Sequence, residues 1–339
     1  MDSPGIPCNP KAIFGVDISK YTIDIAVLRP GGAIATHKMA HTEDTLRVFL
    51  NQQIKELGCR PREVLICAED MGVFCQFLIK EALRKRIPLW LEGPLQIKRS
   101  LGIARGKNDR IDAIRIADYA KKNIARMRLF EPPRECVILL QKLTAIRARL
   151  LKTRKILLNE VKVNDYFLSK QRSYELGENY RRTVLAIKED IDAVNLRIDS
   201  LIRSDQKLNR LVEVITSVPC IGHIIAIQII VHTNEFSKVT TARQFACYCG
   251  IAPFEKSSGG VSLGKAKVSF FANKELKAYL HLAAMGCLRQ KDGFLRQYYL
   301  RKQKEGKNNM SILNAIRNKL VHRIFSCVAH DSMYADQTL

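Results

Sequence analysis

With 339 residues and 47% apolar side chains, the chain is long and apolar enough to form two folded domains. Its 56 Lys and Arg residues exceed its 33 Asp and Glu residues, and a formal charge of +23 on a globular protein usually means that it binds a polyanion. We expect no membrane partner, because apolar runs such as Ile224–Ile227 are far shorter than the roughly 20 residues that cross a bilayer.

The first part of the chain, residues 11–130, alternates between predicted strands and helices. Residues 12–39 contain three short β-rich segments separated by turns, and residues 43–57 have apolar side chains at helical spacing. The continuous apolar run Val64–Glu69 is typical of a buried central strand. A helix, a short strand and a second helix follow, with predicted bounds up to residue 86, at 87–91 and at 108–125. This alternation predicts an α/β domain with a mixed sheet.

Two further parts follow the break at Glu131-Pro-Pro-Arg134. Residues 131–212 contain almost no Gly or Pro, and their apolar periodicity predicts a pair of long helices over Cys136–Leu211 that form a coiled-coil arm. A seam between two copies of this arm would make the protein a homo-oligomer, a dimer or a tetramer. Residues 213–330 are mostly helical by the same pattern and contain a Gly- and Ser-rich insert at Ser257–Gly264.

The cysteines and the N-terminal residues indicate in which cellular compartment the protein is found. None of the ten cysteines forms a C-x-x-C pair, and many lie inside apolar runs, where a thiol behaves as a small hydrophobe. The first residues have no apolar segment of the kind found in secretory signals. We therefore expect reduced thiols in a cytoplasmic protein, without a zinc site.

Four acidic residues lie at the ends of predicted elements. Asp17 ends the first strand and Glu69 ends the central strand, while Asp109 and Asp112 share one face at the start of a helix. Active sites of open α/β sheets lie at such ends, and clustered carboxylates repel one another unless a cation neutralises them. Oxygen ligands select Mg²⁺ or Mn²⁺, ions that serve phosphoryl transfer. Taken singly, each acid also fits a helix cap, a helix-dipole partner or a turn residue.

The sequence around these acids resembles a known family. The segments are Gly15-Val-Asp17-Ile-Ser-Lys, Ile66-Cys-Ala-Glu69-Asp-Met-Gly-Val and Lys107-Asn-Asp109-Arg-Ile-Asp112-Ala. They resemble the RuvC-like domain of the DEDD transposases of bacterial insertion sequences, a group that includes the Piv and MooV invertases. The resemblance implies an RNase H-like fold with the four acids as a metal-binding catalytic tetrad. It also implies that the protein recombines double-stranded DNA, joining the ends of the element to a target. A mostly helical transposase domain would follow the RuvC-like domain along the chain.

The Gly- and Ser-rich insert offers a nucleophile. Ser257 and Ser258 precede two glycines, which allow close approach of a ligand, and nearby lysines favour a phosphate. From these residues alone, a flexible loop is the simpler interpretation. The resemblance, which continues through Ser217–Gly222 and Phe245–Pro253, implies instead that Ser258 attacks DNA and forms a covalent serine–DNA intermediate. Ser257 is the adjacent alternative.

The resemblance further implies an RNA partner. Members of the family use a structured RNA encoded by the element, a bridge RNA, which pairs with donor and target DNA. The choice of sequence would then lie in the RNA, while the protein recognises backbone and shape. The charge excess fits two polyanionic partners without identifying an RNA.

Two positions depart from the family pattern. The helix-hairpin-helix-like Pro-Gly-x-Gly of relatives is Pro219-Cys220-Ile221-Gly222 here, and the lost glycine puts phosphate contact at that turn in doubt. Where many relatives have Arg-Gly-Asn, this chain has Phe270-Phe271-Ala272-Asn273. We expect the two phenylalanines to lie in a hydrophobic core.

Basic residues near the acids and the serines are the candidate nucleic-acid contacts. For the basic residues on the long helices, a solvated face is an equally good interpretation. The candidates are Lys98, Arg99, Arg105, Lys107, Lys256, Lys265 and Lys267.

Three other functions are compatible with parts of the sequence. The segment Phe14–Thr22 resembles the first phosphate loop of actin-like sugar kinases, but the other kinase loops are not recognisable, and a sugar gives the +23 charge no role. A Holliday-junction endonuclease would use the four acids with water instead of a serine. A non-catalytic relative would only bind nucleic acid, although it would have no need of all four acids and the serine.

Overall fold

The computed structural model describes residues 10–100, 108–253, 257–258, 261–262 and 268–335. The chain divides into two compact units, Met1–Pro132 and Pro133–Leu339. Within the described ranges, no helix combines the length and apolar character needed to span a membrane.

The first unit contains a five-stranded mixed sheet. Its strands are β1 (Ala12–Ile18), β2 (Thr22–Leu28), β3 (Ile34–Ala40), β4 (Val64–Glu69) and β5 (Leu89–Glu92). The order across the sheet is β3-β2-β1-β4-β5. Strand β2 pairs antiparallel with both β1 and β3, whereas β4 pairs parallel with both β1 and β5. This arrangement is that of RNase H-like domains, so the predicted fold class is confirmed.

Helices cover both faces of this sheet because alternate residues of each strand point to opposite sides. Phe14 and Val16 contribute to one core with α1 (Glu43–Glu56) and α2 (Gln76–Lys85). Ile13 and Cys67 contribute to the opposite core with α3 (Pro94–Ser100) and α4 (Asp109–Lys122). Helix α3 was not predicted, and its seven residues bury only Ile97.

The second unit is helical. Its helices are α5 (Glu135–Phe167), α6 (Lys170–Ser204), α7 (Gln206–Thr216), α8 (His223–Thr233), α9 (Ala242–Tyr248), α10 (Lys274–Arg289), α11 (Phe294–Lys304) and α12 (Asn309–Ala329). Two short strands, β6 (Ser257–Ser258) and β7 (Val261–Ser262), lie between α9 and α10.

The long helices α5 and α6 form an antiparallel hairpin whose base is buried with the C-terminal helices. Leu140 and Leu143 of α5 and Ile198 and Ile202 of α6 belong to the same core as α7 to α12. The predicted pair of long helices over Cys136–Leu211 is present, but the second of them, α6, ends earlier than predicted, at Ser204. Asp205 has an extended backbone there, and its carboxylate accepts a hydrogen bond of 2.9 Å from the Leu208 amide, which begins α7.

An ion-pair cluster joins the starts of α5 and α7 to the end of α8. The Arg134 guanidinium donates to both Asp205 oxygens, at 2.7 and 3.0 Å, and its Nε donates to Glu235 at 2.8 Å. The Arg134 hydrogen bond is the largest influence on Asp205 and holds the pKa of its carboxyl at about 2. Glu235 lies at φ 53°, between two other residues with positive φ, Asn234 and Phe236. The cluster therefore stabilises a backbone that non-glycine residues rarely adopt.

Candidate carboxylate site

Asp17 and Glu69 lie at the carboxyl ends of two adjacent parallel strands. The register of β1 and β4 pairs Val16 with Ala68, so the residues that follow, Asp17 and Glu69, are neighbours. Both lie on the sheet face covered by α4, the face to which Ile13 and Cys67 contribute. The central pair of the predicted tetrad is thus placed by strand register alone.

Helix α4 brings the other two acids to the same strand ends. It rests directly on Gly15, where a Cβ would lie 2.3 Å from the Ala113 carbonyl oxygen and 2.3 Å from the Ala117 nitrogen. Asn108 caps the helix through its side chain, and Asp109 and Asp112 occupy its first turn. Because the helix crosses β1 one turn further along, its first turn lies over the end of that strand. All four predicted acids therefore occupy one region of the first unit.

The electrostatics of this region show that the acids interact. Burial, followed by the negative charges of Asp109, Glu69, Asp112 and Asp24, raises the pKa of Asp17 to about 6. Burial, followed by the charge of Asp112, also raises the pKa of Glu69. Such mutual repulsion favours binding of a cation or of protons.

Two further acids complete a row across the sheet. Asp24 of β2 lies opposite Asp17, and Glu92 of β5 lies opposite Glu69, so four consecutive strands carry an acid on this face. Glu92 accepts a hydrogen bond of 3.1 Å from the Tyr119 hydroxyl of α4. Sequence reasoning missed both acids. The sequence did carry a signal for Asp24, since it is the only charged residue in the mostly apolar strand β2.

Lys38 ends this row on the edge strand β3, opposite Asp24. Its ammonium lies 3.6 Å from Asp24 and 3.8 Å from Asp109, so it bridges the sheet and the first turn of α4. Arg115 similarly pairs with Asp112 at 2.8 Å. Within the described ranges, no Lys or Arg side chain forms an ion pair with Asp17 or Glu69.

These contacts bear on whether the acids fit a divalent metal. Among the described residues, no three His, Cys, Asp or Glu side chains are arranged to hold a metal ion as they stand. Asp109 and Asp112 are turned to Lys38 and Arg115 instead. The donor set nevertheless fits Mg²⁺ or Mn²⁺, because it consists of carboxylates, and burial together with their repulsion raises the pKa of Asp17.

Of the basic residues predicted near the acids, the structure describes two. Lys98 and Arg99 lie in the last turn of α3, where both are exposed. Arg105 and Lys107 lie outside the described residues.

The predicted serine lies in a tight antiparallel hairpin of the second unit. Ser257 pairs with Ser262 and Ser258 pairs with Val261, which places Ser258 at the closed end of the ladder. Lys256, Lys265 and Lys267 lie outside the described residues.

Two departures from the family pattern have structural outcomes. Cys220, between α7 and α8, has a φ of 65°, so this residue adopts the left-handed conformation without being a glycine. The expected burial of Phe270 and Phe271 was wrong, since their side chains are 83% and 66% exposed. They follow the serine hairpin on a surface turn.

Two family models match most of the chain. Residues 14–163 match a family model of IS110-type DEDD transposases, described as Transposase, and residues 212–300 match a second, described as Transposase IS116/IS110/IS902 family. The four acids lie in the first match and Ser258 lies in the second. The chain belongs to the IS110 family of DEDD transposases. The resemblance drawn from its motifs is confirmed.

Relatives of this IS110-family transposase include both invertases and element proteins. The pilin gene-inverting protein of Moraxella bovis is 25% identical over 315 residues, which cover 92% of this chain and 94% of that protein. The insertion element IS110 uncharacterized 43.6 kDa protein of Streptomyces coelicolor is 27% identical over 152 residues, 45% of this chain and 36% of that protein. The Thermus thermophilus RuvC structure aligns with 35% of this chain and 99% of its own at 10% identity, with a TM-score of 0.26.

Proposed function

We propose that this transposase recombines double-stranded DNA by metal-dependent phosphoryl transfer at the acids of its first unit. The observation that carries the proposal is the convergence of Asp17 and Glu69 on the first turn of α4, where burial and the neighbouring acids raise the pKa of Asp17 to about 6. A half-buried group of like charges lowers the free energy of unfolding, so it is not expected at a purely structural site. A site that binds a divalent cation needs such a group.

Asp17, Glu69, Asp109 and Asp112 would hold Mg²⁺ or Mn²⁺. When bound, the metal would stabilise the attacking and leaving oxygens of the phosphodiester. Two basic residues of the chain act on these acids before a metal binds. Lys38 and Arg115 form ion pairs with Asp109 and Asp112, and so offset part of the negative charge that gathers at the strand ends.

Ser258 is the proposed nucleophile for strand exchange. Its Oγ would bond to phosphorus and lose its proton to a base, while the displaced 3′ oxygen leaves as a hydroxyl, giving a 5′-phosphoserine. The hairpin supports this role, because Ser258 lies at its closed end, directly before the glycine pair. A serine hydroxyl is inert at its ordinary pKa, so the reaction requires the carboxylate site, from the same or another protomer.

The proposed partners follow from charge and family. The net charge of +23 suits the ends of the element, the target DNA and a structured bridge RNA. A dimer or tetramer would hold two DNA partners together. Exposed apolar residues of the helical hairpin, such as Leu196 at 70%, support contact between copies.

A strand-cleavage assay tests the proposal. Purified protein is incubated with DNA containing an element end, the RNA encoded by the element, and Mg²⁺, Mn²⁺ or EDTA. Asp17→Asn should abolish cleavage while the protein still folds and melts cooperatively. The matched control is Asp118→Asn, which removes a carboxylate from the same helix as Asp109 and should leave cleavage unchanged. Cleavage by Asp17→Asn, or cleavage in EDTA, would contradict the carboxylate mechanism.

A further inference from the structure

Two phenylalanine rings project into solvent from the turn that follows the serine hairpin. Phe270 and Phe271 are 83% and 66% exposed, and their rings meet edge to face with centroids 5.7 Å apart and planes at 88°. Large apolar side chains are usually buried on folding, so an exposed pair marks a contact surface more often than a single exposed ring does.

The turn is held firmly by the protein beneath it. The Ala272 amide donates to the Ser269 carbonyl at 3.2 Å, and the Asn273 amide donates to the Tyr248 carbonyl at 2.8 Å. Asn273 also caps α10 through a 2.9 Å hydrogen bond from the Leu276 amide. Ala272 lies against Gly250, where an added Cβ would be 2.6 Å from the Ala272 Cβ. The exposure of the two rings is therefore a property of an anchored turn.

Positive charge accompanies the rings. The Lys274 ammonium lies 5.6 Å from the centroid of Phe270, and the Lys277 side chain passes beside Gly250 at the base of the turn. Glu275 is the acid on this part of α10, and it accepts a hydrogen bond from the Tyr279 hydroxyl at 3.4 Å. An aromatic face next to an ammonium matches a nucleotide, because the base stacks on the ring while the phosphate meets the cation. An apolar protein partner packed on the two rings would form no favourable contact with the Lys274 ammonium.

We propose that Phe270 and Phe271 form a stacking platform for an unpaired nucleobase, with Lys274 contacting the adjacent phosphate. The platform rests on the proposed function, since strand exchange and guide pairing both create unpaired bases. Stacking is sequence-tolerant because every base has a π-face, so the platform would hold a strand without selecting its sequence.

Binding of single-stranded oligonucleotides tests the platform. Full-length protein is titrated against DNA and RNA strands containing 2-aminopurine, whose fluorescence is quenched on stacking, and against a fully paired duplex. Phe270→Ala and Phe271→Ala should each lower the affinity for the single strand about tenfold, abolish the quenching, and leave duplex affinity unchanged. The DNA and RNA arms show which strand uses the platform.

Three variants make the result specific. Replacement of both rings by Trp should retain binding and quenching, whereas replacement by Leu, which keeps apolar area, should not. Phe294→Ala is the matched control, since Phe294 is 50% exposed and has Arg323 at 5.7 Å from its ring. Undiminished affinity in the Ala variants, or full binding by the Leu variant, would overturn the stacking platform. Loss of oligomer in the Ala variants at unchanged strand affinity would assign the rings to a protein contact instead.

The same titration separates this inference from the proposed function. If wild-type protein binds neither strand nor duplex, the proposed function itself fails. If it binds and cleaves DNA while the Ala variants behave as wild type, only the platform is wrong.

Discussion

Gly15 of β1 lies against Ala117 of α4 so closely that a Cβ on Gly15 would be 2.3 Å from the Ala117 backbone nitrogen. The contact seats α4 directly on the central strand. Asp112, which precedes the contacting residue Ala113, is thereby brought toward the end of β1, where Asp17 lies. The close approach at Gly15 thus helps to position the proposed tetrad, whose four acids come from three separate segments.

Gly15→Ala should therefore damage both stability and activity. The methyl group meets backbone atoms, which cannot rotate away, so α4 must move and the free energy of unfolding should fall by about 1–3 kcal/mol. Thermal melting and strand cleavage are measured in parallel, and cleavage should be lost even well below the melting temperature. Gly93→Ala is the control, because nothing lies within 4 Å of a Cβ at Gly93. Equal behaviour of the two variants would contradict the close approach of α4.

Asp17 should stabilise the fold when it is uncharged. Its pKa rises from 3.8 in the unfolded chain to about 6 in the folded one, so the native state binds more protons between these values. Stability without metal should consequently fall as pH rises from about 4 to about 6. Asp17→Asn should melt at a higher temperature than wild type at pH 7 in EDTA, because it removes a half-buried charge and its repulsion of the neighbouring acids.

Divalent metal should reverse that order. Mg²⁺ or Mn²⁺ should raise the melting temperature of wild type and leave Asp17→Asn unchanged, since the variant lacks one ligand and the charge that attracts the ion. Melting curves at pH 7 with and without metal measure both effects. Equal stabilisation of the two proteins by metal would remove Asp17 from the ligand set.

The Arg134 cluster should control the acid stability of the second unit. Asp205 has a pKa of about 2 in the folded protein, well below its ordinary value, so its contribution is present above about pH 4 and is lost as pH falls toward 2. Asp205→Asn removes the charge and keeps a good helix cap for α7. Melting of wild type and variant should differ clearly at pH 6 and converge near pH 2. A constant difference across this range would mean that the ion pair contributes nothing.

Much of the first unit was predictable because its signals are local. The strands have apolar runs with turns between them, and Asp17 and Glu69 end two of them, so their proximity followed from the rule for parallel strands. The row from Lys38 to Glu92 was not predictable, because it depends on the register of four strand pairs, which the composition of single strands does not determine.

In the second unit, residue type alone gave wrong or incomplete predictions. Phe270 and Phe271 suggested a core because they are apolar, but burial depends on the turn that Asn273 and Tyr248 anchor, and those contacts are remote in sequence. The break between α6 and α7 was missed because Asp205 is a helix cap without a neighbouring Gly or Pro. Cys220 could not be assigned a left-handed backbone, since cysteine gives no such signal.

Binding of nucleic acid should depend steeply on salt. Each phosphate neutralised by Lys or Arg releases condensed counterions, and the charge of +23 permits many such contacts. Affinity for duplex DNA should fall by roughly 10³-fold or more between 50 and 200 mM salt if about six phosphates are contacted. Fluorescence anisotropy across this range measures the slope. A flat response would exclude a phosphate-dominated interface.

The covalent intermediate is the most specific consequence of the proposed mechanism. A 5′-phosphoserine link survives denaturation, so a reaction stopped with detergent should show protein that migrates with labelled DNA. The adduct should require both Ser258 and the carboxylate site, because a serine hydroxyl is unreactive at its ordinary pKa. Ser258→Ala and Asp17→Asn should each abolish it.

Ser257→Ala provides the matched control, since Ser257 is the neighbouring residue of the same two-residue strand. It should retain the adduct, although with a reduced yield if the hairpin is disturbed. Mixing Ser258→Ala with Asp17→Asn tests whether the two sites meet across protomers, because restored adduct in the mixture requires an intact serine and an intact acid from different chains. Cleavage by Ser258→Ala that yields free DNA ends and no adduct would show that water is the nucleophile, and the enzyme would then cleave as a metal-dependent endonuclease.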